Sequence, residues 1–350
     1  MTDAPVARTQ QLALLQFVLD RLRGGVAAAP VMTLPELQRA GFATGLTALA
    51  AEVAAADFDV ELQPYLDQQR RQVAARVERF RPVIGSVLTA LDRVGVPATP
   101  VKGAEMTNGI WPYPSARPMS DIDVIVPSHL RAQAGAALER AGFVFDGSSA
   151  HEDTFLAWGD GSVGSTDGES ADHNGRVELH PGWGEFIHGY VVRGMPIEAH
   201  TTTRSLCGAE CARLDLAGVT TSVIGHLSST VVRCEVRAVN VVDVWFCDLA
   251  RVDWASVGAL LDQCDPRLTG PGLWLSSRLL PGVVPADILA RQLSRLTRSA
   301  TARLDHLDPE ATLRARAART TIGWRQAFAA RPAEHAAVLR QMSHSARMRR

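Results

Sequence analysis

Seven residues constrain this chain more than any others: Ser120-Asp121-Ile122-Asp123-Val124-Ile125-Val126. The β-branched run at the end forms a strand, and a strand turns every second side chain to one face, so Asp121 and Asp123 are predicted to project together. Two unpaired carboxylates side by side repel each other and oppose the strand that carries them. A divalent cation removes that conflict, and an all-oxygen pair suits Mg²⁺ bridged to a triphosphate.

Upstream, Val96 to Val101 reads as a short strand interrupted by Pro97 and Pro100. Lys102-Gly103 follows, where a helix is expected to begin near Ala104. A glycine at such a turn lets the backbone come close to a phosphate, and a helix N-terminus favours the anion. Of the 36 basic residues, Lys102 is the only lysine and the other 35 are arginine. A compact ammonium serves where one oxygen must be reached, whereas a guanidinium forks onto two. Lys102 is therefore expected to contact phosphate.

Taken in order, Lys102-Gly103, Tyr113-Pro114 and Arg117-Pro118-Met119-Ser120-Asp121-Ile122-Asp123 resemble a bacterial branch of nucleotidyltransferase-like proteins within the DNA polymerase beta-type nucleotidyltransferase superfamily. The similarity extends, more weakly, from about Leu88 to Leu261. It implies an α+β fold, with a polymerase beta-like core of a small mixed sheet and flanking helices. In that superfamily a third carboxylate on a neighbouring strand completes the metal site. Arg176-Val177-Glu178-Leu179-His180 alternates as a strand does and supplies Glu178, in a position where Asp is the commoner acid.

The resemblance implies a mechanism as well as a fold. Asp121, Asp123 and Glu178 would be the catalytic residues and the ligands of two Mg²⁺ ions, with Glu178 the base toward an acceptor hydroxyl. Lys102, Gly103, Arg117 and Ser120 would lie at the phosphates of a nucleoside triphosphate donor. The acceptor is not specified. A formal net charge of −1 and the scarcity of lysine favour a small molecule or peptide over a nucleic acid.

Two other readings use the same residues. Glycosyl transfer from a sugar nucleotide also employs Asp-x-Asp, but in the usual form of that fold several strand and helix units precede the motif, whereas here the preceding residues read as helical. A non-catalytic nucleotide-binding or antitoxin-like partner would keep the cleft without turnover. The presence of all three carboxylates favours catalysis.

The chain divides into an N-terminal helical part (1–95), the nucleotidyltransferase core (96–215) and a C-terminal helical part with an Arg-rich tail (216–350). Leu12, Leu15, Val18, Leu19 and Leu22 keep helical spacing up to Gly24-Gly25. Thr33-x-x-Glu36 reads as a capping box opening one helix through Leu46, Leu49 and Val53. Val73, Val77, Phe80, Ile84, Val87, Leu88 and Leu91 outline a third stripe, with Pro82 inside it. After the Asp-x-Asp strand, Ser128 is expected to cap a helix ending at Ala141-Gly142. Phe143-Val144-Phe145 and Thr154 to Trp158 are expected to pair as strands.

Gly159 to Gly175 reads as a long solvated loop, and from Leu313 onward nine arginines face one acid, Glu334. His226, amid Val223, Ile224 and Leu227, reads as a hydrogen-bonded core histidine. Asp243 is expected to cap a helix or pair with an arginine, and Trp111 and Tyr113 to pack the loop before the motif. The five cysteines form neither a disulfide framework nor a zinc knuckle. No apolar run is long enough for a bilayer and the N-terminus shows no signal pattern, so a cytoplasmic protein with no membrane partner is expected. Replacing Lys102 by Arg is expected to raise KM for the triphosphate by roughly tenfold or more, well beyond a surface Lys-to-Arg change. Steady-state kinetics with wild-type values would remove the lone-lysine argument.

Overall fold

The computed structural model describes residues 4–149, 152–157, 175–187, 190–233 and 236–309, with Leu313, Phe328, Ala333 and Glu334. The expected loop between residues 159 and 174, Cys234 and the arginines of the tail lie outside the described residues.

The apolar periodicity of the first ninety residues becomes four helices: α1 (Ala4–Leu22), α2 (Leu34–Thr44), α3 (Thr47–Ala54) and α4 (Gln63–Asp92). At the start of α2, the backbone N–H and the hydroxyl of Thr33 each donate to Glu36 Oε2 at 2.8 Å. The single helix expected through Val53 is instead two. Gly45 adopts φ 70°, its N–H bonds to Gly41 O at 2.8 Å, and α3 starts anew at Thr47. A left-handed glycine closes the last turn of a helix, while the apolar spacing runs on across the break because both helices face the same core.

α4 runs through Pro82 without ending. Proline inside a helix costs about 3 kcal/mol through its missing N–H and ring clash. The stripe Val73, Val77, Phe80, Ile84, Val87, Leu88 and Leu91 is fully buried, and at about 1.5–3 kcal/mol for each large apolar side chain it outweighs that cost. Arg76 of α4 is buried too, and its NH1 donates to Met119 O at 3.0 Å, tying the helix to the segment that precedes the acidic strand.

The sheet is assembled next. In chain order come β1 (Thr99–Pro100), the single turn α5 (Gly103–Met106), β2 (Asp121–Val126), α6 (Arg131–Arg140), β3 (Val144–Ser148), β4 (Asp153–Leu156) and β5 (Arg176–Pro181). The strand order is β1-β2-β5-β4-β3, with β2 and β5 parallel and the other neighbours antiparallel. Strand β1 is short because Pro97 and Pro100 have no N–H for a ladder, although Val101 N still donates to Asp123 O at 3.1 Å. The expected pairing of Phe143-Val144-Phe145 with Thr154 onward is present, with Phe145 opposite Phe155. Ser128 opens a 3₁₀ turn rather than capping the helix, so α6 begins three residues later.

Two hairpins follow, β6 (Gly184–Ile187) with β7 (Tyr190–Arg193) and β8 (Thr201–Leu206) with β9 (Ala209–Leu214). Strand β9 lies beside β1, where Ala212 N donates to Ala98 O at 3.2 Å. Arg213 of β9 forms a fork on Glu105 of α5, NH2 to Oε1 at 2.6 Å, which fixes the turn after Lys102-Gly103. The chain then continues as α7 (Leu216–Arg233), α8 (Ala238–Leu249), α9 (Trp254–Leu261), α10 (Gly270–Leu279), α11 (Ala286–Ser294) and α12 (Arg298–Asp305). The fold is thus α+β, a small mixed sheet with helices before and after it, as expected. Among the described residues no helix is long and apolar enough to cross a membrane.

Gly85 gives a test of packing. An alanine in a helix interior is ordinarily better than glycine by about 1 kcal/mol. A Cβ at Gly85, however, would stand 2.5 Å from the Cys207 carbonyl oxygen in the turn between β8 and β9. Backbone cannot yield as a flexible side chain does, so Gly85→Ala is expected to destabilise the protein by about 1–3 kcal/mol in a denaturant melt. A stabilising effect would show that the hairpin does not sit on α4.

Candidate active site

The parallel register of β2 and β5 builds the site. Asp121 lies opposite Arg176, Asp123 opposite Glu178 and Ile125 opposite His180. Because alternate residues share a face, Asp121, Asp123, Glu178 and His180 all project to the same side of the sheet, while Ile122, Val124, Val177 and Leu179 are buried. The three acids singled out from sequence are therefore brought together by two adjacent strands.

Ligand atoms of Asp123, Glu178 and His180 lie within 4.8 Å of one another. Among the described residues this is the tightest such trio, and Asp121 stands one strand period away on the same face. His180 Nε2 is 2.8 Å from Asp123 Oδ1 and 3.8 Å from Glu178 Oε2. The alternation of β5 sets His180 on the face of Glu178, but a histidine beside an acid in a strand does not by itself declare a role. Its signal was there, two residues beyond Glu178.

Lys102 reaches the same oxygen. Its Nζ is 2.7 Å from Asp123 Oδ1, and its backbone takes φ 52°, ψ −123°, a conformation that favours glycine. A side chain held there costs of order 1–3 kcal/mol. Lys102 thus sits at the acidic cluster itself, with Gly103 beside it. A Cβ on Gly103 would stand 2.8 Å from Arg117 NH1, so this glycine permits the close approach of the arginine. Ser120 is exposed, and its hydroxyl hydrogen-bonds to Asp121.

Arg117 is buried and already occupied. Its Nε and NH2 donate to the two oxygens of Asp243 on α8 at 2.8 and 2.7 Å, and Trp111 Nε1 donates to Asp243 Oδ1 at 2.7 Å. Asp243 pairs with an arginine, as its setting suggested. Trp111 is buried against Phe246, ring centroids 4.8 Å apart, so it packs the loop, while Tyr113 stays partly exposed. His226 departs from expectation. It is not a core histidine but lies on the wall of a cleft of about 210 Å³ whose other side carries Lys102, Gly103, Arg117, Ser120, Asp121 and Asp123. Residue spacing could not reveal this, since α7 is buried nearly all round and only its partners decide which side meets the cleft.

The carboxylates answer differently to this crowding. Burial alone would raise the Asp123 carboxyl, but Lys102 and His180 outweigh it and hold it well below the usual carboxylate range. Burial, and then the charge of Asp123, push Asp121 up. Burial, then Asp123 and Asp121, push Glu178 up to about 9. Arg176 Nε lies 3.0 Å from Glu178 Oε1 as well. The two carboxylates of the trio are hard oxygen donors of the kind that bind Mg²⁺, and a cation there would remove the repulsion that raises Glu178, so the residues present fit a divalent ion.

The sheet thus carries acids on paired strands beside a Lys-Gly turn. The family described as uncharacterised nucleotidyltransferase matches residues 34–263, and the chain belongs to that family of transferases. A solution structure of the antibiotic-resistance factor ANT(2'')-Ia is similar at 12% identity, covering 51% of this chain and 88% of that one, with a TM-score of 0.36. No curated protein matches the chain.

The raised Glu178 carboxyl makes a signed prediction. A glutamate whose folded pKa exceeds its unfolded value costs stability as pH rises from its ordinary value near 4.5 toward 9. Without divalent ions, thermal stability is expected to fall more steeply over that window in wild type than in Glu178→Gln. Mg²⁺ should flatten the wild-type slope, since ion binding requires the deprotonated form. Parallel wild-type and variant slopes in metal-free melts would contradict the crowding of these acids.

Proposed function

We propose that this protein is a Mg²⁺-dependent nucleotidyltransferase that moves a nucleoside monophosphate from a nucleoside triphosphate to a hydroxyl or phosphate acceptor. A small molecule or peptide is the acceptor we favour, because the net charge is near zero and Lys102 is the only lysine. The observation that carries the reading is the register that sets Asp123 opposite Glu178, with Asp121 and His180 on the same face. Family membership supports the class of reaction.

Asp121, Asp123 and Glu178 would hold two Mg²⁺ ions. Bound there, the ions would neutralise the phosphates and lower the pKa of the acceptor hydroxyl. Asp123 is already fixed by two groups, Lys102 Nζ and His180 Nε2, so its orientation does not depend on incoming substrate. Glu178, once deprotonated, is the base placed to take the acceptor proton. The acceptor oxygen then bonds to the α phosphorus as the bond to pyrophosphate breaks, and the proton passes to Glu178. Lys102 would offset charge on the departing pyrophosphate, with the Gly103 amide beside it. Ser120 would hold Asp121 in place through its hydroxyl. Arg117, committed to Asp243, would act as a fixed positive charge behind Gly103 rather than as a mobile fork. In this reading the chain divides into 1–95, 96–215 and 216–350, and the described helices of the first and last parts support the core between them.

Incubation with Mg²⁺ and each labelled nucleoside triphosphate, in the presence of a panel of hydroxyl acceptors, is expected to release pyrophosphate. Asp123→Asn should lower that rate by at least about 10³-fold while the circular dichroism spectrum is unchanged. Pyrophosphate release by Asp123→Asn at the wild-type rate would sink the proposed site.

A further inference from the structure

The cleft has a second wall that the acidic strands do not explain. His226, Thr230 and Arg233 follow at i, i+4 and i+7 on α7, one helical face, and Arg237, Val239 and Asn240 continue that wall at the start of α8. The opposite wall carries Asp121 and Asp123. Besides Lys102 and Arg117, which line the cleft with these acids, the helices thus bring two further guanidinium groups to it. His226 of α7 lines this cleft together with both acids.

We propose that Arg233 and Arg237 are the residues that grip the triphosphate tail of the donor, so that the helical wall rather than the Lys-Gly turn supplies most of the cationic contact. The inference rests on the nucleotidyl-transfer reading and deepens it. A triphosphate carries more negative charge than Lys102 alone offsets, and Arg117 is engaged bidentately by Asp243. Arginine forks match phosphate oxygens in geometry as well as charge. Arg237 is also held in advance. Its NH2 donates to Phe42 O at 3.3 Å, and a Cβ on Gly45 would stand 2.9 Å from that nitrogen. The left-handed Gly45 between α2 and α3 thus makes room for this arginine. The N-terminal helices would then have a part in donor binding, by presetting a side chain of the far wall.

The test is equilibrium binding of the full chain to Mg·ATP, AMP and inorganic triphosphate by titration calorimetry, for wild type, R233Q, R237Q and the double variant. The double variant is expected to lose about tenfold or more in affinity for ATP and triphosphate, while AMP binding stays unchanged. R237K should recover only part of the loss, because it restores charge without the fork. Wild-type ATP affinity in a folded double variant overturns the assignment, and so does an equal loss for ATP and AMP. Lost pyrophosphate release with ATP affinity intact also overturns it, moving the arginines to the acceptor. If R237Q does not fold once its Phe42 contact is gone, full ATP affinity in both R233Q and R237K overturns the inference. Wild-type protein that binds triphosphate through these arginines, yet releases no pyrophosphate from any nucleotide, would sink the transfer reading and leave this one standing.

Discussion

Like-charge crowding on one face of two parallel strands is the constraint on which the rest of this structure depends. Asp121, Asp123 and Glu178 share that face, and folding them together is unfavourable unless positive charge is near. The chain answers first with Lys102 and His180 on Asp123. Burial first, and then the charges of Asp123 and Asp121, leave Glu178 raised to about 9, even with Arg176 Nε 3.0 Å from its Oε1.

Much of the surrounding architecture holds that face in position. Arg76 of α4 fixes Met119, and the Arg213 fork on Glu105 fixes the turn after Lys102. Asp243 of α8 holds both Arg117 and Trp111. Each of these contacts joins the segment between residues 102 and 120 to a different helix or hairpin. Buried pairs of this kind are weak evidence for stability, since desolvation offsets their attraction. Their consistent effect is placement, and breaking one would leave a buried charge without its partner.

The helical parts are not only supports. α7 and the start of α8 close the cleft from the side opposite the acids, and Gly45, far away in sequence, touches the arginine at the turn between them. Arg237, whose NH2 donates to Phe42 O at 3.3 Å, thereby ties the first helices to the cleft. The mixed charge of the cleft, two acids with Lys102, Arg117, Arg233 and Arg237, arises from separated stretches of chain.

Read alone, the chain carries the local periods. Alternation placed Asp121 with Asp123 and Glu178 with His180, apolar spacing located α4 and α7, and the solitary lysine marked its own turn, because each of these is fixed by backbone geometry over a few residues. Spacing misjudged the break at Gly45, where apolar spacing continued through a left-handed residue, and it read His226 as core because its sequence neighbours are apolar. Only the tertiary structure decided that β5 would lie parallel to β2 in the register that sets Glu178 beside Asp123. Long-range packing likewise set Arg117 against Asp243, and brought Arg233 and Arg237 to the cleft that Asp121 and Asp123 line. Those outcomes depend on which buried faces meet, and the packing of elements a hundred or so residues apart is not written in the spacing of either one.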